Sequence, residues 1–434
     1  MHISILSVFP RLYDSFLETS IVKKARDASL VDIDQRSFFD YVEPKERIDA
    51  PTFGHGAGML IKPEVVGKAI DDITAQHGKP YTIFFSPQGK KLNQRLLKKI
   101  YHKVQETGHL LLVPSRYEGM DARVEEQYAD LQVSVGDFVL MGGDLPAMML
   151  TEGLLRLLPG VIGKQESVQE ESFSGPFVDY PEYTNPVVWH DKEVPAVVRS
   201  GNHAALRAWR QEKAADKTVK HHFSWLRSHH LDKAQKMQAR SFMPPHYVAL
   251  CHSQVRIGPE RLEGTTSVTS IDIHDIARSS KTYGMNGLFV VTPLKDQQKI
   301  VQHFLSFWES GPGIDYNRER YEAVGLVRLA PSIDEVIEAI EKREGKRPIV
   351  VGTTARSFES VQRITFYDQE LVWQHDRPVL LAFGTGKGFT DDFLARCDYL
   401  LEKIEGFSEF NHLSVRSAVA VVLDRWLGIN VQNE

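Results

Sequence analysis

Short apolar runs alternate with amphipathic stretches along most of this chain. Ile3–Val8, Val31–Ser37, Tyr81–Phe85, His109–Val113 and Leu131–Val135 are short, branched and bounded by turn residues, and they read as strands. Between them Arg11–Leu30 (broken near Glu18-Thr19-Ser20), Pro63–Gln76, Asn93–Thr107 and Ala147–Leu158 read as helices. Pro63 suits a first helical turn, and Pro159-Gly160 ends the last of these helices. Asp49–Met59 is glycine-rich and aperiodic, hence a loop. Residues Val113–Pro146 organise this half. Here one apolar run breaks into Ser115–Gly119, a second into Gly136-Asp137, and a third, Phe138–Met141, into Gly142-Gly143. Open α/β sheets hold ligands at such strand ends. Ordinary tight turns also use glycine this way, and the charged residues inside two of these loops favour a site.

The alternation then stops and restarts. Lys164–Pro186 is polar, acidic and proline-bearing, a linker or mobile loop. Arg199–Gln238 reads as helices, and Ser241–His246 is a second break. Beyond it come strands at Tyr247–Cys251, Gly287–Thr292, Tyr321–Leu329, Pro348–Gly352 and Pro378–Phe383. Helices are expected at Ile271–Tyr283, Asp296–Ser310, Ser332–Arg343 and Ser414–Leu427. The second half repeats the layout of the first without its residues. Strand–helix alternation of this kind predicts an α/β fold with mostly parallel sheets.

With 434 residues, two or three domains are expected. The apolar (42%) and charged (25%) fractions are those of soluble globular chains. No run reaches the roughly 18 apolar residues of a membrane helix, and MHISILSVFP looks like a first strand rather than a signal peptide. Cys251 and Cys397 lie far apart without CxxC partners, which suits a reducing cytoplasm better than a disulfide or metal framework. The net charge of −5 speaks against a wholly basic nucleic-acid binder. Yet Arg199–Arg240 holds ten Lys/Arg against three acids, a local +7. Such a segment is either a phosphate-tracking surface or a solvated helical face.

Common nucleotide motifs are absent. FGHGAGM (53–59) does not match GxGxxG, and GTGKG (384–388) does not satisfy GxxxxGK[ST]. A distributed set of loops carries more. GMLIKP (58–63), SPQGKK (86–91), SRYEG (115–119), SVGDFVLMGG (134–143), LPAMMLTEGLLRLLPGVIG (145–163), DYPEYTNP (179–186) and VPAVVRSGNHAALRAWR (194–210) stand in one register over about 210 residues. Together they resemble the bacterial tRNA (guanine-37-N1)-methyltransferase family.

The resemblance implies a SPOUT-type knotted α/β domain holding a bent S-adenosylmethionine, with the active site formed between two subunits of a homodimer. Cofactor contacts would come from Ser86, Pro87, Gln88, Gly89, Ser115, Glu118, Gly119, Val135, Gly136, Asp137, Phe138, Val139, Leu140, Gly142, Gly143 and Pro146. Arg156 would contact the target guanine, a fitting donor to O6. The family's proton acceptor is an aspartate before Ser-Phe; here Glu171 stands there, with Glu170 beside it. Glu118 matches an acid tied to Mg²⁺, with a salt bridge to Arg116 or Arg123 as the alternative. Asp179, His203, Arg207 and Arg210 fall where the family meets tRNA, and Lys213, Lys217, Lys220 and Arg227 would add phosphate contacts. The partner implied is the tRNA anticodon stem-loop, with no DNA and no membrane.

The C-terminal half resembles a second, SPOUT-like family of S-adenosylmethionine-dependent RNA methyltransferases. IDIHDIARSSKTYG (271–284), LLAFGTGKGF (380–389) and IEGFSEFNHLSVRSAVAVVLDRWL (404–427) carry the likeness. They single out Arg278, Gly384, Gly386, Ile404, Asn411, Leu413 and Ser414. The division expected is a knotted domain at 1–163, a linker at 164–186, a small helical tRNA-binding domain at 187–242 and a second knotted (trefoil) domain at 246–430. Two other readings stand: the same fold acting on another RNA site, or an RNA-binding scaffold with a degenerate site.

Overall fold

The computed structural model describes residues 1–431 except 55, 57, 163–170 and 311–317. It divides into two compact units, Met1–Ser174 and Gly175–Glu434.

In the first unit, β1 (His2–Ser7), β2 (Asp32–Ser37), β5 (Tyr81–Lys91), β6 (His109–Val113) and β7 (Leu131–Ser134) form one sheet in the order β2-β1-β6-β5-β7. All its pairings are parallel. Helices cover both faces, so the strands carry apolar residues at consecutive positions. In β6, Leu110 and Leu112 join one buried cluster with Ile3, Ile5, Ile100 and Leu150, while Leu111 and Val113 join another with Leu6, Val66 and Ile70. The covering helices are α1 (Asp14–Leu17), α2 (Ser20–Asp27), α3 (Pro63–His77), α4 (Gln94–Thr107), α5 (Ala122–Tyr128) and α6 (Asp144–Leu157). Their ends follow local chemistry. The Asn93 side chain accepts from Leu96 N at 2.8 Å to start α4, and Gly108, at φ 71°, stops it. The glycine-rich stretch at 49–59 is not all loop: Asp49–Pro51 (β3) and Met59–Ile61 (β4) pair as an antiparallel ribbon.

The second unit opens with a small hairpin, β8 (Val188–Trp189) with β9 (Lys192–Glu193), which the helical reading of 187–242 did not anticipate. Helices α7 (Ala196–Arg199), α8 (His203–His221), α9 (Phe223–Arg227) and α10 (Lys233–Phe242) follow. Its large sheet contains β10 (His246–Cys251), β13 (Gly287–Val291), β14 (Val327–Ala330), β15 (Ile349–Gly352), β16 (Arg363–Ile364), β17 (Val379–Gly384) and β18 (Tyr399–Leu401). The order is β14-β13-β10-β17-β15-β18-β16, again parallel. Counted along the chain, the five strands β13-β10-β17-β15-β18 repeat the connectivity of the first sheet, with one extra strand at each edge. The duplicated layout therefore extends to topology. A ribbon of β11 (Val255–Ile257) and β12 (Leu262–Gly264) and helices α11 (Ser270–Thr282), α12 (Lys295–Ser310), α13 (Arg318–Val324), α14 (Ile333–Glu344), α15 (Gln369–Trp373), α16 (Asp391–Ala395) and α17 (Val415–Leu427) complete it.

The strand expected at 321–329 is instead the end of α13 followed by β14. Val219, Phe223, Leu226 and Ala239 of α8–α10 belong to the same buried cluster as Val248, Leu250, Ile276 and Trp426. The helical segment and the second sheet thus share one core. No helix among the described residues is long and apolar enough to cross a membrane.

Candidate functional site

In the first unit the predicted loops gather at the carboxyl edge of the sheet. β5 continues past Phe85, and its register with β7 shifts between Phe85 and Lys90, pushing Ser86–Gly89 outward. Gly89 is required there, since a Cβ would stand 2.6 Å from the backbone of Gln132 and Val133. After β6 the chain turns through Tyr117 (φ 59°), and Gly119 N donates to Arg116 O at 3.0 Å. After β7, Ser134 Oγ accepts from Gly136 N, and Asp137 pairs with Lys91.

Two of these loops clasp each other. Gly143 N donates to Ser115 O at 2.9 Å, and Arg116 pairs antiparallel with Gly142. A Cβ on Gly142 would meet Arg116 Cδ at 2.6 Å, and one on Gly143 would meet Pro114 Cα at 2.8 Å. These glycines serve the approach of one loop to the other. Gly119 differs: its φ is 115° and nothing lies within 4 Å of where a Cβ would stand, so its left-handed backbone, not a close approach, calls for glycine.

A buried carboxylate locks the clasp. Asp144, the first residue of α6, accepts from Ser7 Oγ (2.6 Å), Tyr13 OH (2.9 Å) and Arg116 Nε (2.8 Å). Its side chain is 3% exposed and that of Arg116 21%. Burial, then the Asp144 charge, pushes the Tyr13 hydroxyl well above its ordinary range. An acid in a helix's first turn is also favoured by the helix dipole. Sequence reasoning missed Asp144, because Ser7 and Tyr13 lie more than 130 positions away. Pro146, expected at the cofactor, is buried in the same first turn.

Phe138–Met141 is a correction. The run is not a strand but an open loop, with Val139 83% and Met141 89% exposed and Phe138 and Leu140 exposed as well. Enclosed by Gly136 and Gly142, four residues have no neighbouring strand to pair with.

Glu118 is exposed, with its amide bonded to Met59 O at 3.1 Å. Gly58 packs against it so closely that a Cβ would fall 2.3 Å from Glu118 Cγ. The alternative salt bridges are not formed, since Arg116 pairs with Asp144 and Arg123 with Asp121. A lone outward carboxylate fits a hydrated magnesium better than a dehydrated one. Ser115, in the same loop, donates its hydroxyl to Phe85 O at 3.3 Å.

Arg156 and Glu171, both singled out by the family resemblance, meet. Arg156 Nη2 donates to Glu171 Oε1 at 2.5 Å, both side chains being partly exposed. Arg156 sits in the last turn of α6, where a cation is favoured. Leu145, Met149, Glu152 and Arg156 follow one another at spacings of four, three and four, and all four are exposed, so they share one outward face of α6. Glu170 lies outside the described residues.

In the second unit the end of the expected linker is strapped along α8. Lys217 Nζ donates to Asp179 Oδ1 (3.0 Å), the Arg210 guanidinium lies 4.4 Å over the Tyr180 ring, and Tyr183 stands beside Trp209. His203 and Arg207 are exposed on the same helix. Of the expected phosphate contacts, Lys213, Lys217 and Lys220 reach the surface beside Glu212, Asp179 and Asp216. Arg227 is a correction. It is buried, donating from Nε to Gly428 O (2.6 Å) and from Nη2 to Asp424 O (3.0 Å), so it caps α17 instead of facing RNA.

The second-sheet candidates lie at its carboxyl edge too. Gly384 ends β17 and Gly386 follows it; between them Thr385 Oγ1 donates to Cys251 O at 3.0 Å, and a Cβ on Gly386 would meet Arg256 O at 2.8 Å. Ile404, Asn411 and Leu413 lie in the loop between β18 and α17, and Ser414 caps α17. Arg278 is exposed on α11. Asp272, in the first of the motifs that carry the C-terminal resemblance, is buried and accepts from Arg416 Nη1 at 3.2 Å, which ties α11 to the start of α17.

Residues 1–227 match the family model described as tRNA (Guanine-1)-methyltransferase TrmD, and residues 245–428 that of a SAM-dependent RNA methyltransferase. A protein of Oleidesulfovibrio alaskensis named tRNA (guanine-N(1)-)-methyltransferase is 37% identical over an alignment of 440 positions, spanning 99% of both chains. One of the same name from Nitratidesulfovibrio vulgaris is 37% identical over 434 positions, again 99% of each. A third, from Persephonella marina, is 38% identical over 221 positions, 50% of this chain and 85% of its own.

Proposed function

Since the chain belongs to the tRNA (guanine-1)-methyltransferase family, with a second RNA-methyltransferase domain behind it, we propose that it methylates N1 of guanine 37 in tRNA. The observation that carries this reading in the structure is the meeting of Arg156 with Glu171. The neutral guanine ring holds a proton at N1, so transfer needs a base there and a donor at O6 where negative charge develops. Glu171 would take the N1 proton, leaving the N1 lone pair to form the new bond to carbon. Arg156 would donate to O6. A guanidinium has five N–H groups, so one bond to Glu171 leaves others for the base. S-adenosylmethionine, when bound, supplies the methyl group and keeps the electrons of the broken S–C bond.

The donor's adenosine would sit among Ser86–Gly89, Ser115–Gly119 and Val135–Leu140, in a knotted chain path. Glu118 would hold a largely hydrated Mg²⁺ nearby. Arg156 stands twelve residues along α6 from Asp144, about 18 Å at 1.5 Å per residue. That span is too long for Arg156 to serve the loops of its own chain directly. It supports a homodimer in which the pair from one subunit faces the cofactor loops of the other. The exposed apolar loop at Phe138–Met141, with Leu145 and Met149 on the Arg156 face of α6, suits such an interface.

His203, Arg207, Arg210 and Asp179 would meet the anticodon stem-loop, whose unpaired bases are open to reading at their edges. The loop from Ile404 to Ser414 stands after β18 as Val135–Gly143 stands after β7, and we assign it to a second methyl-donor pocket. A cytoplasmic location follows from the substrate. The test is methyl transfer from labelled S-adenosylmethionine to tRNA carrying guanine or adenine at position 37. Transfer only to the guanine form is expected; equal transfer to both refutes the assignment.

A further inference from the structure

At the edge of the first sheet opposite the glycine loops, three histidines and two aspartates converge. His2 opens β1, Asp32 and Asp34 begin β2, His109 opens β6 and His77 ends α3. His2 Nε2 lies 3.0 Å from Asp34 Oδ1, and ligand atoms of His2, Asp34 and His77 all fall within 4.8 Å of one another. The His2 and His77 rings stack with centroids 4.1 Å apart. Methyl transfer at the other end of the sheet uses none of them.

We propose that His2, Asp34 and His77 form a binding site for a divalent transition metal of the zinc type. Two imidazole nitrogens and a carboxylate oxygen are a normal donor set for such an ion, at about 2.0–2.2 Å each. Ligand atoms around a tetrahedral ion then stand about 3.3 Å apart. The His2–Asp34 separation is close to that already, and His77, exposed in the last turn of α3, swings to close the rest. Metal-bound histidines characteristically give their other ring N–H to a carboxylate or carbonyl, and ligating carboxylates are themselves hydrogen-bonded. That outer layer is present. Asp32 Oδ2 accepts from His2 Nδ1 at 2.9 Å, leaving Nε2 turned towards Asp34. Arg36 Nε (2.6 Å) and Ser4 Oγ (2.7 Å) hold the two Asp34 oxygens. Ser4 Oγ is in turn 3.0 Å from His109 Nε2, whose Nδ1 lies 3.1 Å from Gly78 O.

Two carboxylates against one guanidinium leave the cluster an excess of negative charge for a cation. The ion would tie β1, β2 and α3 together at the start of the sheet.

The test uses the full chain, stripped of metal, with Zn²⁺ measured by equilibrium dialysis at pH 7.5 and Co²⁺ absorption as a probe of geometry. Wild type is expected to bind one more Zn²⁺ per chain than H77A. D32N, which touches only the outer layer, should weaken that site tenfold to a hundredfold. Binding should also weaken at pH 5.5, where protons compete. His77 is exposed, so H77A tests the ligand without threatening the fold. The chain holds 17 histidines, which makes the difference between the proteins the quantity to read. Equal zinc stoichiometry and affinity in wild type and H77A, or Co²⁺ spectra identical in both, would overturn the proposal.

Discussion

Replacing Asp144 by Asn tests the buried lock beneath the loops. The amide oxygen keeps the bonds from Ser7 and Tyr13, both made to Oδ1. The amide NH₂ then faces Arg116 Nε–H, donor against donor, where a 2.8 Å charge-assisted bond stood. Breaking a fully buried ion pair costs about 3–5 kcal/mol. Because the Arg116 side chain is 21% exposed and can turn to water, the expected cost is about 2–4 kcal/mol. Two compact units need not unfold in one step, so the readout is hydrogen exchange of peptides covering 1–13 and 110–121. S-adenosylhomocysteine binding should weaken at least tenfold as the 115–119 loop loses its anchor. The double variant D144N/R116M removes the donor-against-donor conflict and should recover most of the loss, giving a coupling above ~1.5 kcal/mol. If D144N lies within ~0.5 kcal/mol of wild type, or R116M costs the same in both backgrounds, the lock is not what orders the loops.

Three further outcomes are expected. Glu171→Gln should lower kcat by about 10²–10⁴-fold while leaving S-adenosylhomocysteine affinity within twofold; unchanged kcat removes Glu171 as the base. Arg227→Met takes the buried donor from the Gly428 carbonyl and one of two donors from the Asp424 carbonyl, and should destabilise the second unit by about 1–3 kcal/mol, read as faster exchange in α17. A surface role for Arg227 would instead show as weaker tRNA binding with exchange unchanged. Burial drives the pKa of His246 down to about 3, its Nε2 accepting from Trp373 (3.2 Å) and Trp426 (3.1 Å). The folded chain therefore resists a proton that the unfolded chain takes up below about 6.5. Stability should fall as pH drops from 6.5 towards 3, by about 1.4 kcal/mol per pH unit from this group. Burial likewise lowers His252, to about 4, so it adds to the slope. A His246→Gln variant should show a shallower slope over that window, and an equal slope would contradict the assignment.

Much of the fold was legible because both sheets are covered on both faces. Runs such as Leu110–Val113 and Val379–Phe383 need apolar residues at every position, because both sides of each strand face a buried cluster. The failures have local causes. Phe138–Met141 is apolar for an exposed surface, so hydrophobicity alone misread it as a strand. Arg318–Val324 carries alternating charge and one solvated face, which hid a short helix before β14. Residues 49–61 pair as a ribbon because Glu118 and Gly119 bond to Met59 O and Ile61 N, contacts about sixty positions distant. The site was legible as loops but not as a network. Asp144 reads as an ordinary charged helix position and Arg227 as a phosphate contact, and only their distant partners show that one locks the clasp and the other caps α17.

The central claim is that a methyl group reaches N1 of guanine 37, and identifying the product nucleoside tests it most directly. Full-length protein, S-adenosylmethionine and an unmodified tRNA transcript would be incubated, and the digested RNA resolved by mass spectrometry against methylated standards. The expected product is 1-methylguanosine, confined to the fragment containing position 37. A ribose-methylated product, or 1-methylguanosine in another fragment alone, would contradict it.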